Sequence, residues 1–142
     1  LAELLARELS ARRVRQPLIR TGHLADAIRE ILSENAPRLD EDAANDTVRR
    51  VFQALRIAAN DEFGVLDLFL RQLPGCLRAG GRVAILTFHS GEDRRVKHAF
   101  REGVRTGIYS ATNEEVIRAT PAERRANPRS TSAKLRWAVR AL

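Results

Sequence analysis

The spacing of apolar residues at the start of the chain predicts amphipathic helices. Residues 1–13 place leucines at helical spacing, and Pro17 ends this region. Residues 22–34 repeat the helical pattern directly after Thr21, a residue type that suits a helix N-cap. We therefore expect two helices joined by a short turn.

A third, longer helix is predicted in the middle of the chain. The acidic residues 40–42 follow Pro37 and are expected to form a loop. Apolar residues then recur at helical spacing over residues 48–73. Gly64 interrupts this pattern and weakens the helix by about 1 kcal/mol relative to alanine.

The next segment predicts a buried strand followed by a helix. Gly80 and Gly81 suit a turn, and residues 82–88 form a nearly continuous apolar run. Such a run is typical of a strand buried on both faces of a parallel sheet. With the helix predicted over residues 91–103, it forms half of a doubly wound α/β unit.

Near the end of the chain the pattern changes to a period of two. Apolar and polar residues alternate over residues 133–140, which predicts a strand with one face on the core, in an antiparallel pairing. Trp137 is interpreted as a core residue on that face. The partner strand lies either at residues 107–111 or near residues 116–117, and the pattern does not distinguish between them.

Charge is distributed unevenly along the chain. Residues 1–90 contain 13 basic and 12 acidic groups, whereas residues 91–142 contain 12 basic and 6 acidic groups. Nearly all of the net charge of +7 therefore lies in the last third. A basic surface of this kind attracts polyanions such as nucleic acid, although an arginine-rich solvated surface explains the same composition.

Composition excludes some classes of protein. No apolar stretch approaches the roughly 18–20 residues of a membrane span. A single cysteine, Cys76, cannot form an internal disulfide, which fits a reducing cytoplasm. The chain has no methionine, so Leu1 is not expected to be the natural start. Trimming of a tail and loss of a whole domain would each explain this.

Polar side chains follow the predicted buried strand at Phe88-His89-Ser90. Ligands of open α/β sheets bind beyond the carboxyl ends of the strands, so this loop is the first candidate site. Ser90 and Asp93 are expected to cap the following helix, which argues against a nucleophilic role for Ser90. His89 either faces a ligand or makes structural hydrogen bonds.

The sequence shows no metal site. The three histidines, His23, His89 and His98, are scattered, and Cys76 has no second cysteine at zinc spacing. Gly80-Gly81 precedes its strand, whereas the glycines of a dinucleotide-binding loop would follow it.

Three blocks of sequence carry a family resemblance. They are RVFQALRIAANDE at 50–62, GGRVAILTFHS at 80–90 with EDR and VK after it, and NPRS with SAKLR at 127–136. In this order and spacing the chain resembles the bacterial 16S rRNA methyltransferases of the MraW type, which modify the exocyclic amine of a cytidine. Thr87 and Gly91 depart from this pattern, because the family usually has serine and leucine there.

The resemblance implies an α/β fold, with a partial Rossmann-like class I methyltransferase sheet and part of an inserted helical domain. Residues 1–47 would be the end of the insertion, and residues 48–142 the C-terminal half of the methyltransferase domain. The family's cofactor is S-adenosylmethionine, but its donor-binding motifs come earlier in the chain and are absent here. This chain would therefore supply the RNA side of a cytoplasmic enzyme and be inactive alone.

The resemblance also implies site residues and partners. Seven residues are candidate substrate contacts, of which the loop would form the wall of the base pocket and the arginines would hold the RNA backbone: Phe88, His89, Ser90, Arg94, Arg95, Arg129 and Arg136. The implied partners are rRNA in the small ribosomal subunit and, through exposed sheet edges, a second copy or the missing half. The alternative is a non-catalytic RNA-binding or oligomerisation module derived from the family.

Overall fold

The computed structural model describes all residues from Leu1 to Leu142, which form two compact units, Leu1–Asn60 and Asp61–Leu142. The first unit contains three helices: α1 (Ala2–Arg15), α2 (Thr21–Asn35) and α3 (Glu41–Ala59). Their apolar faces bury a common core of Leu5, Ile28, Ile31, Leu32 and Val48. The helices expected near residues 1–13 and 22–34 are thus confirmed.

The acidic residues 40–42 form the start of a helix, so the loop expected there is wrong. Asp40 is the N-cap of α3, and its side chain accepts a hydrogen bond of 2.8 Å from the backbone N–H of Ala43. Glu41 and Asp42 occupy the first turn, where the positive end of the helix dipole stabilises carboxylates. Thr21 is likewise the first residue of α2, with Arg20 as the N-cap.

The long helix predicted over residues 48–73 is two helices. After α3, Asn60 and Asp61 break the chain before α4 (Glu62–Cys76) begins. Asp61 adopts a left-handed φ of 47°, and a side chain at Gly64 would collide with its carboxylate. The apolar spacing continues through the break, so periodicity alone does not reveal it. The division of the chain into an insertion and a methyltransferase part stays a prediction.

The second unit packs helices on a small sheet. After α4 come, in order, β1 (Arg82–Thr87), α5 (Ser90–Arg105), β2 (Tyr109–Thr112), β3 (Ile117–Arg118), α6 (Pro121–Ala126), a 3-10 helix (Pro128–Ser132) and β4 (Lys134–Arg140). Strand β4 lies between β1 and β2, and β3 pairs with its first residues. Both partner segments considered for the last strand therefore pair with it.

The sheet confirms an α/β fold but corrects the parallel pairing expected for β1. Strand β1 pairs only with β4, antiparallel, and has its other edge open. Because β2 is also antiparallel to β4, β1 and β2 run parallel to each other and are joined through α5. Alternate residues of β1 are exposed, so β1 is not buried on both faces in this structure.

The two faces of the sheet differ. One face packs against α4 and α5 around a core that contains Leu70, Leu73, Val96, Phe100, Tyr109 and Ala138. The residues of β4 on this face include the buried Arg136 and Ala138. Trp137 alternates with them and lies opposite Ala84 on the other face, where it is only partly buried. The interpretation of Trp137 as a core residue is therefore wrong.

None of the helices in the structure combines the length and the apolar character needed to cross a bilayer.

Candidate functional site

The loop between β1 and α5 presents one open aromatic side chain. Phe88 follows the last residue of β1 and is 52% exposed. Its backbone N–H donates to the Glu92 carboxylate at 3.1 Å, which fixes the loop against the first turn of α5. A large apolar side chain held at the surface by a fixed backbone can contact a flat ligand such as a nucleobase.

His89 is the N-cap of α5, a role that the sequence had suggested for Ser90. The Nδ1 atom of His89 accepts a hydrogen bond of 3.4 Å from the backbone N–H of Glu92. The imidazole also meets the Phe63 ring edge-on, with 5.9 Å between the centroids. Only 18% of the His89 side chain is exposed, whereas Ser90 is exposed at the start of the helix. Of its two expected roles, His89 fills the structural one here.

Two carboxylates surround His89, a grouping that sequence reasoning missed. A carboxylate oxygen of Glu62, a ring nitrogen of His89 and a carboxylate oxygen of Glu92 all lie within 4.8 Å of one another. The buried Nε2 atom of His89 is 3.1 Å from Glu92 Oε1, although the two are not aligned as a hydrogen bond. Because Nδ1 is an acceptor, the neutral ring carries its proton on Nε2. Coordination of a metal by Nε2 would require the opposite tautomer and loss of the helix cap.

Asp93 and Arg136 form a buried ion pair, so Asp93 is not the capping residue that the sequence suggested. Arg136 donates to both Asp93 carboxylate oxygens, at 2.7 and 3.3 Å. The Arg136 side chain is 6% exposed and the Asp93 side chain is 15% exposed. Burial acts to raise the Asp93 pKa, but the hydrogen bond and charge of Arg136, with Lys134 and Arg118, hold it below the ordinary value.

This ion pair removes Arg136 from the candidate RNA contacts. Its guanidinium is buried and already bonded, so it ties the first turn of α5 to β4. A backbone phosphate would have to displace Asp93 to reach it, leaving a buried carboxylate without a partner. Arg136 is therefore a structural residue in this fold.

Arg95 is also engaged in structural contacts. It donates to Asp67 at 2.7 Å, and its guanidinium lies 4.3 Å from the centroid of the Phe63 ring. Phe63 in turn fills the space beside Gly91, where a Cβ atom would lie 2.7 Å from the ring. The glycine that departs from the family pattern is thus matched by a phenylalanine packed against it.

These side chains form one wall of an open groove between α4 and α5. The groove has a volume of about 750 Å³, and Arg71, Arg94 and His98 also line it. Arg71 and Arg94 are exposed and make no hydrogen bond or ion pair. Arg94 is therefore available to an external anion, in contrast to its neighbour Arg95.

A second basic region lies between β3 and β4. Residues 117–134 contain five basic residues and one acidic residue. Among the five, Arg129 is exposed on the 3-10 helix, as the RNA-contact prediction requires. Sequence reasoning did not single out Arg118 and Lys134, although the charge run that contains them was visible. Register explains why, because only strand pairing places these two residues opposite each other.

The described residues do not fit a binding site for S-adenosylmethionine. The glycine pair precedes β1, with Gly80 at a φ of 71°, and no glycine-rich loop follows the strand. The chain passes directly from β1 through Phe88 and His89 into α5. No reaction step through the donor is therefore derived from these residues.

The sequence profile of the MraW methylase family matches residues 1–141. This chain belongs to that family. A relative from Lachnoclostridium phytofermentans, "Ribosomal RNA small subunit methyltransferase H 1", is 49% identical over 121 residues, which are 85% of this chain and 33% of the relative. The "Ribosomal RNA small subunit methyltransferase H" of Crocosphaera subtropica is 42% identical over 139 residues, which are 97% of this chain and 42% of the relative.

These similarities confirm the resemblance seen in the three sequence blocks. They also show that the chain spans only about a third to two fifths of the length of the MraW-family relatives it matches. The region matched by the family profile, residues 1–141, contains the β1–α5 loop and the segment between β3 and β4.

Proposed function

We propose that this chain forms the RNA-facing part of an S-adenosylmethionine-dependent methyltransferase that acts on the exocyclic amine of a cytidine in small-subunit rRNA. The observation that carries the proposal is the family match over residues 1–141. An exposed Phe88 at the carboxyl end of β1 and a basic second unit support it. Ribosomal RNA as the substrate implies a cytoplasmic protein.

The chemistry of the acceptor explains what such a part has to do. The amine of cytosine is a poor nucleophile because its lone pair is delocalised into the ring. Catalysis therefore depends on aligning the nitrogen and on accepting hydrogen bonds from its protons. The base also has to leave its stack to reach a pocket. The exposed face of Phe88 is suited to hold an unstacked base, and Ser90 beside it offers a hydroxyl acceptor.

Arg94 and Arg129 complete the proposed substrate surface. Both are exposed and make no ion pair, so both are available to backbone phosphates. His89 and Arg95 support the surface from behind, through the helix cap and the contact with Phe63. The proposed pocket wall therefore consists of one exposed aromatic side chain on a loop that neighbouring contacts hold in place.

The open edge of β1 supports a proposal about assembly. Ala84 is exposed, Leu86 is 53% exposed, and both lie on the uncovered face of the sheet beside Trp137. An unpaired strand edge with apolar residues is a template for strand addition. We infer that a Rossmann-like sheet is completed there by further strands, from the rest of a longer protein or from a second copy.

A chimera tests the proposed function. This chain would replace the matching region of the Lachnoclostridium phytofermentans relative, in cells that lack the endogenous enzyme. Nucleoside mass spectrometry of small-subunit rRNA is expected to detect N4-methylcytidine. Phe88→Ala in the chimera is expected to reduce the modification at least about tenfold, because alignment of the base is impaired.

The same experiment separates the catalytic reading from the alternative. A chimera that folds and binds rRNA but leaves the cytidine unmodified would support the non-catalytic module. Equal methylation by the Phe88→Ala chimera would show that this side chain does not form the pocket wall.

A further inference from the structure

Two cations lie directly opposite each other at the carboxyl end of β1. Arg118 of β3 pairs in register with Lys134 of β4, and Thr87 of β1 pairs with the same lysine from the other side. The Thr87 hydroxyl donates to the Lys134 carbonyl at 3.3 Å, which ties β1 to β4 at this position. Directly opposite residues of antiparallel strands project from the same face, so the two positive charges are close neighbours.

This arrangement opposes folding and is only partly compensated by the acidic groups of the chain. Like charges directly opposite each other destabilise a sheet. Neither Arg118 nor Lys134 makes a side-chain hydrogen bond or ion pair. The fold therefore keeps a pair of repelling cations where an apolar or acidic residue would be more favourable.

The nearby carboxylates are already engaged. Asp93 is bonded to Arg136, which lies two residues after Lys134 on the same face of β4. The charges of Lys134 and Arg118 help to keep the Asp93 pKa low against the larger opposing effect of burial. Glu92 accepts from the Phe88 backbone. The single negative charge of the half-buried Asp93 is thus shared among three cations, which leaves this group with an excess of two positive charges.

The position of the pair connects it to the candidate substrate surface. Thr87 immediately precedes Phe88, so Lys134, which pairs with Thr87, lies next to the loop that carries the exposed aromatic ring. Residues 117–134, which begin with β3 and end at Lys134, contain five basic residues and one acidic residue. The two cations therefore lie where this basic segment meets the β1–α5 loop.

We propose that Arg118 and Lys134 form an anion site that binds a backbone phosphate of the RNA next to the base held at Phe88. Guanidinium and ammonium groups make charge-assisted hydrogen bonds to phosphate oxygens. A bound phosphate would also relieve the repulsion between the two cations. The proposal rests on the proposed function for the identity of the ligand as RNA, and it adds a site that orients the strand beside the pocket.

Binding of RNA by the full chain tests the site. Fluorescence anisotropy with a short labelled single-stranded RNA would be measured for the wild type, Arg118→Gln, Lys134→Gln and the double variant. Each lost phosphate contact is expected to weaken binding about fivefold at 0.1 M salt, and to reduce the slope of log K against log salt by about 0.7. The double variant is expected to lose about 25-fold.

Arg78→Gln is the matched control. Arg78 is exposed and unpaired in the turn before β1, at the opposite end of the sheet, and the substitution removes the same charge. Its RNA affinity and salt slope are expected to stay close to those of the wild type. An equal loss in Arg78→Gln and Lys134→Gln would show that net charge alone governs binding and would overturn the site.

Inorganic phosphate distinguishes the source of the anion. Titration followed by amide chemical shifts is expected to perturb residues of β3 and the start of β4, and phosphate should compete with the labelled RNA. Perturbation without competition would identify a site for free phosphate and contradict the RNA assignment. Unchanged RNA binding in the double variant would refute the anion site, whereas methylation by the chimera tests the proposed function separately.

Discussion

The two compact units of this chain use their charges in opposite ways. Unit Leu1–Asn60 contains 10 basic and 9 acidic residues, and exposed pairs such as Arg29 with Asp26 satisfy several of them. Unit Asp61–Leu142 contains 15 basic and 9 acidic residues. Its one buried pair, Arg136 with Asp93, has a structural role, and Arg118 and Lys134 beside it are unpaired.

This difference separates charges that pair within the fold from charges that are available to a ligand. In the first unit, charges are balanced at the surface and contribute little to stability. In the second unit, one arginine is buried and fixes the first turn of α5, whereas the unpaired Arg118 is exposed and Lys134 half-buried at the same end of the sheet. The excess of basic residues in the second unit therefore overstates its basic surface, because Arg136 is buried.

Loss of the buried carboxylate is expected to have the largest effect. Asp93→Ala leaves the Arg136 guanidinium buried without a partner, which should lower the free energy of unfolding by about 3–5 kcal/mol. Urea denaturation followed by the fluorescence of Trp137, the only tryptophan, reports on the second unit. Replacement of both partners, Asp93→Leu with Arg136→Met, is expected to recover most of the loss. A loss below about 1 kcal/mol in the single variant would show that the pair is not structural.

The same glycine substitution should have opposite effects in the two units. A Cβ at Gly103 would collide with the Tyr109 ring, so Gly103→Ala is expected to destabilise the second unit by about 1–3 kcal/mol. Gly22 in α2 has nothing within 4 Å, and Gly22→Ala should stabilise the chain by up to about 1 kcal/mol. Thermal unfolding by circular dichroism measures both, and an equal sign for the two would contradict the packing described here.

Acid is expected to weaken the second unit through Asp93. Its pKa in the folded protein is below the ordinary value of 3.8, because the hydrogen bond and charge of Arg136, with the nearby cations, outweigh the larger single effect of burial. The resulting stability is present above the ordinary pKa of 3.8, which applies to the unfolded chain, and is lost as the pH falls through the lower folded pKa. Trp137 fluorescence in urea at a series of pH values measures this loss. Asp93→Asn should flatten the dependence, and an unchanged profile would exclude Asp93 as its source.

The smallest effect is expected at an exposed pair of the first unit. Asp26→Ala removes the partner of Arg29, with the two side chains 69% and 50% exposed. The loss in free energy of unfolding should be below about 0.5 kcal/mol because solvent screens both charges. Urea denaturation by circular dichroism checks it. A loss comparable to that of Asp93→Ala would remove the contrast between the units.

Sequence patterns predicted most of the elements and missed the contacts between them. Helical spacing identified α1 and α2, and alternation identified β4 but left its partner open between two segments, both of which pair with it. The alternation also suggested the wrong core face for β4. Arg136 is buried in place of Trp137 because it pairs with Asp93. Asp93 lies 43 residues away, so the pairing leaves no signal in the local sequence pattern.

The candidate site shows the same limit. The position of Phe88, His89 and Ser90 after a strand was predictable, because the apolar run and the following helix are local features. The contact of His89 with Phe63 and its closeness to Glu62 depend on the packing of α4, and the pairing of Arg118 with Lys134 depends on strand register. Register and interhelical packing are set by the whole fold, so a single sequence does not contain them in readable form.

Ultraviolet crosslinking of a small-subunit rRNA fragment to the full chain tests the central claim most directly. Mass spectrometry of the crosslinked peptides would locate the RNA on one unit or the other. We expect crosslinks in residues 117–134 and 88–95, with few in Leu1–Asn60. Crosslinks concentrated in Leu1–Asn60, or spread evenly over both units, would contradict the assignment of RNA binding to the second unit.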